Sequence, residues 1–231
     1  MTNKVMIGCP VRNRAWVLPA YLKHLQELQC DEYSVEYCFI INDCTDETPQ
    51  ILHDFAAKQS RVVKLITADS TRAIKPGFVR GSYNFSHLAW LRNILLKEFL
   101  KSDCTHLFSV DSDILVRSNA LLTLLEDNCD IISALVCNGH QLGDTNLYNI
   151  LQKSADGSLV HIKDFPRDRV FAVGCTGAAY LIHRRVVADL GVHYSAQWGA
   201  EDIGFCEIAR QKGLKTYCDG RVECIHLMDE I

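Results

Sequence analysis

His106-Leu107-Phe108-Ser109-Val110-Asp111-Ser112-Asp113 is the stretch on which the reading of this chain turns. An apolar run delivers two carboxylates separated by one serine, and the apolar pattern resumes at Ile114, Leu115 and Val116. Carboxylates at the end of a buried strand are costly unless a cation or hydrogen bonds hold them. At the C-terminal end of a strand in an open α/β sheet, they project into the crevice where such sheets bind ligands. A hard divalent cation gripped there can bridge to the phosphates of a nucleotide. An Asp-rich turn bonded to nearby backbone satisfies the same stretch equally well, so the surrounding chain has to decide.

Upstream, Val5 to Cys9 reads as a buried strand ending in the polar loop Pro10-Val11-Arg12-Asn13-Arg14. Leu18, Tyr21, Leu22, Leu25 and Leu28 recur at helical spacing, with Pro19 in a first turn that tolerates it. Val35 to Ile41 is a second strand and runs into Asn42-Asp43-Cys44-Thr45-Asp46-Glu47. Thr48-Pro49 starts a helix as N-cap plus proline, and Val62 to Ile66 is a third strand. Strand-helix-strand-helix-strand implies a parallel sheet with right-handed crossovers. After the long stretch from Thr67 to Tyr83, helix signals return over Phe85 to Phe99 and lead into the carboxylate strand.

Downstream, Ser118 is expected to cap a helix carrying Leu121, Leu122 and Leu125, and Ile131 to Val136 is another strand. Beyond Cys137 the pattern turns polar and irregular, with Asp156-Gly157 between short strands. Phe171 to Ile182 reads as one or two strands broken at Gly174 and Gly177. Val186 to Leu190 is a short helix, Glu201-Asp202 opens another that ends at Gly213, and Val222 to Leu227 is a terminal strand-like run. No repeat or linker interrupts the pattern, so residues 1–231 are expected to form a single domain. Its first half, 1–116, is the expected nucleotide-binding side, and 117–231 is a smaller, irregular half.

The chain of 231 residues is 48% hydrophobic and 23% charged, which is ordinary for a soluble globular protein. A formal net charge of -4 argues against a nucleic-acid binder. Arg72, Lys75, Arg80 and Arg92 nevertheless cluster where Asp69 is almost the only acid, a balance that suits a small anionic ligand. The eleven cysteines are scattered without a Cys-x-x-Cys pair, which removes a zinc ribbon or a thioredoxin-type site. With no secretory signal at the start and no apolar stretch long enough for a bilayer, a reducing cytoplasm is expected. Peripheral membrane contact and oligomeric state stay open.

Three loops follow parallel strands and share one sheet edge with Asp111 and Asp113. They offer Asp43 for a base or ribose hydroxyl, and Arg12, Lys75 and Arg92 for phosphate. Neither Gly-x-Gly-x-x-Gly nor a P-loop motif occurs. A nucleoside diphosphate fits this inventory.

The chain resembles the GT-A fold nucleotide-sugar glycosyltransferases, most closely the family-2 type. The motifs that carry the resemblance occur in order over nearly the whole chain. Pro10 with Asn13 matches the first loop, Asn42 through Thr48 resembles an Asp-Asp-x-Ser-x-Asp-x-Thr loop, and Arg92-Asn93 matches an Arg-Asn pair. Asp111-Ser112-Asp113 matches the Asp-x-Asp motif, Glu201-Asp202 with Arg210 and Gly213 a Glu-Asp helix, and Val222 to His226 the strand bearing a late histidine. Asn42 stands where the family has an aspartate, and Ile114 where a further Asp is common.

The resemblance implies an α/β fold, with a mostly parallel sheet flanked by helices, and a hexosyltransferase using a UDP- or GDP-sugar. It implies a donor site of Pro10, Arg12, Asn13, Asp43, Lys75, Arg92, Asp111 and Ser112, and a cation on Asp111, Asp113 and His226. That carboxylate-imidazole set is softer than a pure oxygen site, which favours manganese over magnesium. The cation stabilises charge on the departing diphosphate. Asp202, kept ionised by the helix dipole, is the expected base toward the acceptor hydroxyl. Glu201 either shares that catalytic role or holds the acceptor or sugar, and Trp198 stacks on a sugar or simply packs. Inversion is favoured, but retention is compatible with the same motifs. Two other readings compete: nucleotidyl transfer onto a sugar phosphate, and a non-catalytic binding domain.

Overall fold

The computed structural model describes residues 4–30, 32–69, 84–139 and 143–228. Lys75, Arg72, Arg80 and most of the expected long basic loop lie outside the described residues.

The apolar runs form β1 (Lys4–Val11), β2 (Ser34–Ile41), β3 (Val63–Thr67) and β4 (His106–Val110), as their patterning predicts. They lie in the order β3-β2-β1-β4, all parallel. The reversal of order between β1 and β4 opens a crevice beyond their C-terminal ends. Next to β4 runs β11 (Ala179–His183), antiparallel to it and to β6 (Ile131–Val136). The long last strand β12 (Thr216–His226) runs parallel to β6 and antiparallel to the two-residue β5 (Ile114–Leu115) and to β9 (Val170–Val173). Among the described residues, β3, β2, β1, β4, β6 and β12 therefore point one way, and the sheet is mainly parallel.

Strand alternation assigns the two faces. Val5, Ile7 and Cys9 pack with α1 (Leu18–Gln26), α2 (Thr48–Lys58) and α4 (Ala120–Glu126), whereas Met6, Cys38 and Leu107 pack with α3 (Phe85–Lys101), α5 (Arg184–Ala188) and α6 (Glu201–Gln211). Gly8 shows why β1 needs a glycine there, since a Cβ would stand 1.8 Å from the Cys38 carbonyl oxygen. A smaller sheet of β10 (Cys175–Thr176), β7 (Ile150–Lys153) and β8 (Leu159–His161) fills the irregular region, and Gly157, at φ +85, lies between β7 and β8. Among the described residues no helix is long and apolar enough to cross a membrane.

Several local expectations are corrected. Thr48 is not the N-cap of α2 but its first residue: its backbone N–H donates to Asp46 Oδ1 (3.0 Å) while its hydroxyl accepts from the Arg14 N–H (2.7 Å). The N-cap of α4 is Asn119 rather than Ser118, without a side-chain cap bond. Phe171 to Ile182 splits into three strands that serve two different sheets. The terminal strand begins at Thr216 and carries a register shift between Asp219 and Glu223.

Candidate active site

The two loops leaving β1 and β2 are locked together. Asn13 (φ 47) and Asp43 (φ 42) adopt the left-handed conformation that Asn and Asp tolerate best among non-glycine residues. Asn13 Oδ1 accepts from the Thr45 N–H at 2.8 Å, and Asp46 Oδ2 accepts from the Ala15 N–H at 3.0 Å. Buried Asn42 donates to Asp43 Oδ2 (3.0 Å) and to the Ala68 carbonyl (2.7 Å), while its own oxygen lies 3.0 Å from His87 Nε2. A carboxylate at position 42 would remove both donated bonds and press charge against Asp43, which explains the departure from the Asp-Asp pattern. Pro10, opposite Ile40 in β2, and Arg12 flank this loop pair half-buried.

The carboxylates of the Asp-x-Asp motif face different partners. Asp111 Oδ1 accepts from Arg92 Nη2 at 2.7 Å; Arg92 also donates through Nε to Glu201 Oε1 (2.9 Å) and through Nη1 to Ser109 Oγ (3.3 Å). Its guanidinium lies 5.6 Å from the Tyr194 ring centroid, and Tyr194 shares a short hydroxyl contact with Tyr180. Arg92, expected to bind phosphate, is buried on the α3 face turned toward the sheet. Burial opposes its charge, but Asp111 and Glu201 overcome that and hold its pKa well above the ordinary arginine value. Burial also raises the Asp111 pKa, with Arg92 opposing and Asp113 adding to the rise. Glu201, expected to share the catalytic role or to hold the acceptor or sugar, is buried in an ion pair with Arg92.

Asp113, on the other side of buried Ser112, meets Arg14 Nη2 at 3.3 Å and His226 Nε2 at 3.7 Å. The His226 Nδ1 lies 3.1 Å from Asn138 Oδ1, and the Leu227 N–H donates to the Asp113 carbonyl at 2.9 Å. Asp113 and His226 thus converge across β5 and β12, whereas Asp111 is turned toward Arg92. A trio of ligand atoms within 4.8 Å of one another does occur at the other end of the sheet, at Glu36, Asp103 and Cys104. Lys4 sits 2.6 Å from Asp103 and 3.2 Å from Glu36, so that cluster is already neutralised. Asp113 and His226 fit a cation by their chemistry. His226 Nδ1 faces the Asn138 amide oxygen, which can only accept, and Nε2 faces the Asp113 carboxylate.

Asp202, in the first turn of α6, packs on Gly177 so closely that a Cβ there would stand 2.3 Å from Asp202 Oδ2. Its Oδ1 accepts from the Ile203 N–H at 2.7 Å. Desolvation and then the neighbouring Glu201 charge raise its carboxyl to about 6. The Gly177 segment is pinned by buried Asn149, which donates to the Gly177 carbonyl at 2.8 Å and to Thr176 Oγ1 at 3.3 Å. Ala178 (φ 67) then directs its carbonyl to the Asp111 N–H at 2.8 Å. One short segment, broken in sequence at Gly177, therefore sets both Asp111 and Asp202, and only Asn149, which pins it, carried no signal in the sequence. Trp198 is exposed beside the start of α6.

A family model, Anp1, matches residues 1–176. The chain belongs to the Anp1 family. No curated protein matches it in sequence. It is similar in structure to TarS of S. aureus solved with UDP-GlcNAc, at TM-score 0.62 and 15% identity over 99% of this chain and 60% of that one. It is similar to GalNAc-T7 solved with UDP, GalNAc and Mn2+, at TM-score 0.69 and 14% identity over 99% and 44% of the two chains. The mannosyltransferase PcManGT of Pyrobaculum calidifontis, solved with GDP-Man and Mn2+, matches at TM-score 0.58 and 16% identity over 98% and 57%. The fold of this Anp1-family chain is thus GT-A, as its motif order implies. The chain spans less than two thirds of the length of these solved relatives.

Proposed function

We propose that the chain is a glycosyltransferase, acting as a single GT-A domain, that moves a sugar from a UDP- or GDP-sugar to an acceptor hydroxyl with Asp202 as general base. The observation that carries this reading is the convergence at one crevice of the Asp113–His226 pair, the Arg92–Asp111–Glu201 cluster and a carboxyl titrating near 6. The mannosyltransferase-like character of the Anp1 family and the UDP- and GDP-sugar complexes of the structural relatives support it.

Asp113 and His226 would hold a divalent cation, manganese in preference to magnesium, which supplies charge stabilisation to a departing diphosphate. The protein's own contributions are separable. The interlocked loops of Asn13 and Asp43 shape the seat for the nucleoside, with Pro10 and Arg12 at its rim. Arg92, spent on Asp111 and Glu201, fixes the two acids in place and does not reach outward. At pH 7 Asp202 is ionised roughly tenfold over its protonated form and can accept a proton from the acceptor. Exposed Trp198 offers a ring face for the acceptor sugar. A base of this kind implies inversion, and cysteines kept as thiols imply a reducing cytoplasm.

The test is transfer and donor hydrolysis with UDP- and GDP-sugars and Mn2+, on the wild type and on Asp202→Asn and His226→Ala. Loss in both variants with the fold retained is the expected result. Turnover unaffected by either, or diphosphate release from a nucleoside triphosphate instead, would refute the proposal.

A further inference from the structure

His226 stands between two neighbours placed by strand register. β12 pairs in parallel with β6 at Cys224↔Val136, and two residues further along each strand come His226 and Asn138. On its other side β12 pairs antiparallel with β5 at His226↔Ile114, one residue beyond Asp113. The imidazole is therefore held from one side by an amide and faces a carboxylate on the other.

Asn138 is itself anchored. Its backbone N–H donates to the Leu147 carbonyl at 2.8 Å. The following Gly139 packs so tightly that a Cβ would stand 1.4 Å from the Asp144 carbonyl oxygen, so this backbone has little room to shift. The amide oxygen lies 3.1 Å from His226 Nδ1, while Nε2 lies 3.7 Å from Asp113 Oδ1. An amide oxygen has no proton to give, so the Nδ1 proton must come from the ring. In the neutral ring the lone pair is then on Nε2, directed at Asp113 Oδ1, while Asp113 Oδ2 meets Arg14 Nη2 at 3.3 Å.

We propose that Asn138 is a positioning residue that locks His226 in the Nδ1-protonated tautomer and so presents Nε2 to a divalent cation shared with Asp113. This rests on the cation reading above. Partners of this kind, which bond the remote nitrogen of a ligating histidine, are worth about 10- to 100-fold in metal affinity.

Two measurements on the full chain test it. In the metal-free protein, long-range nitrogen–proton NMR correlations of labelled histidine should show His226 protonated at Nδ1 and bare at Nε2; a proton on Nε2 in the wild type overturns the proposal. Mn2+ binding followed by electron paramagnetic resonance should weaken about 10- to 100-fold in Asn138→Leu and return close to wild type in Asn138→Asp, whose carboxylate accepts the same proton. Unchanged affinity in Asn138→Leu, with His226→Ala abolishing binding, removes the role of Asn138 and leaves the cation reading intact. Binding indifferent to His226→Ala and to Asp113→Asn removes both.

Discussion

Replacing Asp202 by asparagine should separate stability from activity in a pH-dependent way. The carboxyl sits at about 6 in the fold, against an ordinary value of 3.8, because desolvation and then the Glu201 charge disfavour its ionised form. Between those values the native state keeps a proton that the unfolded chain has released, so stability falls as pH rises through the window and levels off above it. At about 1.4 kcal/mol per pH unit, the ionised side chain costs the native state about 0.6 kcal/mol at pH 4 and about 3 kcal/mol at pH 8. Asparagine mimics the neutral acid and carries no such cost. The stability advantage of Asp202→Asn should therefore grow by about 2.4 kcal/mol between pH 4 and pH 8, read from urea melts in a chelator. Transfer activity should be lost in the variant, and in the wild type it should fall about tenfold per pH unit below 6. An advantage that stays flat or shrinks with pH would refute the perturbed carboxyl, and a fully active variant would refute its role as base.

Arg92→Met leaves buried Glu201 and half-buried Asp111 without their cation and should lower stability by about 3 kcal/mol in urea melts, with part regained when Glu201→Gln is added. Gly177→Ala places a methyl group where Asp202 Oδ2 now lies and should lower kcat about tenfold or more with the donor KM little changed, because the fold tolerates a displaced carboxylate better than the chemistry does. Mn2+ at a hundred times its Kd should add about 2.7 kcal/mol to wild-type stability and nothing to Asp113→Asn, as read by thermal melts, and chelation should abolish turnover.

Much of the fold was legible because its information is local. Val5 to Cys9, Val35 to Ile41 and the stretch before Asp111 announce buried parallel strands, and Pro19 and Pro49 mark helix starts. What stayed hidden is set by contacts distant in sequence. The apolar run of β11 gives no sign of direction, since a strand buried on both faces reads the same whichever way it runs. The first half of β12 was missed because Gly220 interrupts the pattern, and that glycine is there because a Cβ would stand 2.0 Å from the Pro166 carbonyl oxygen.

The site divides along the same line. Motif order brought Asn13, Asp43, Asp111, Asp113, Asp202 and His226 to one edge of the sheet, but the partners they meet there are set by contacts distant in sequence. Arg92 reads as a phosphate ligand because a helix ahead of the carboxylate strand holds it in place. Its direction is decided by Glu201, more than a hundred residues away, whose carboxylate meets Asp111 only once α6 packs on α3. With both acids so close, a cation between them is what lets either stay charged, and Arg92 supplies it from within the protein. Asp111 is thereby held on Arg92, while Asp113 lies between Arg14 and His226.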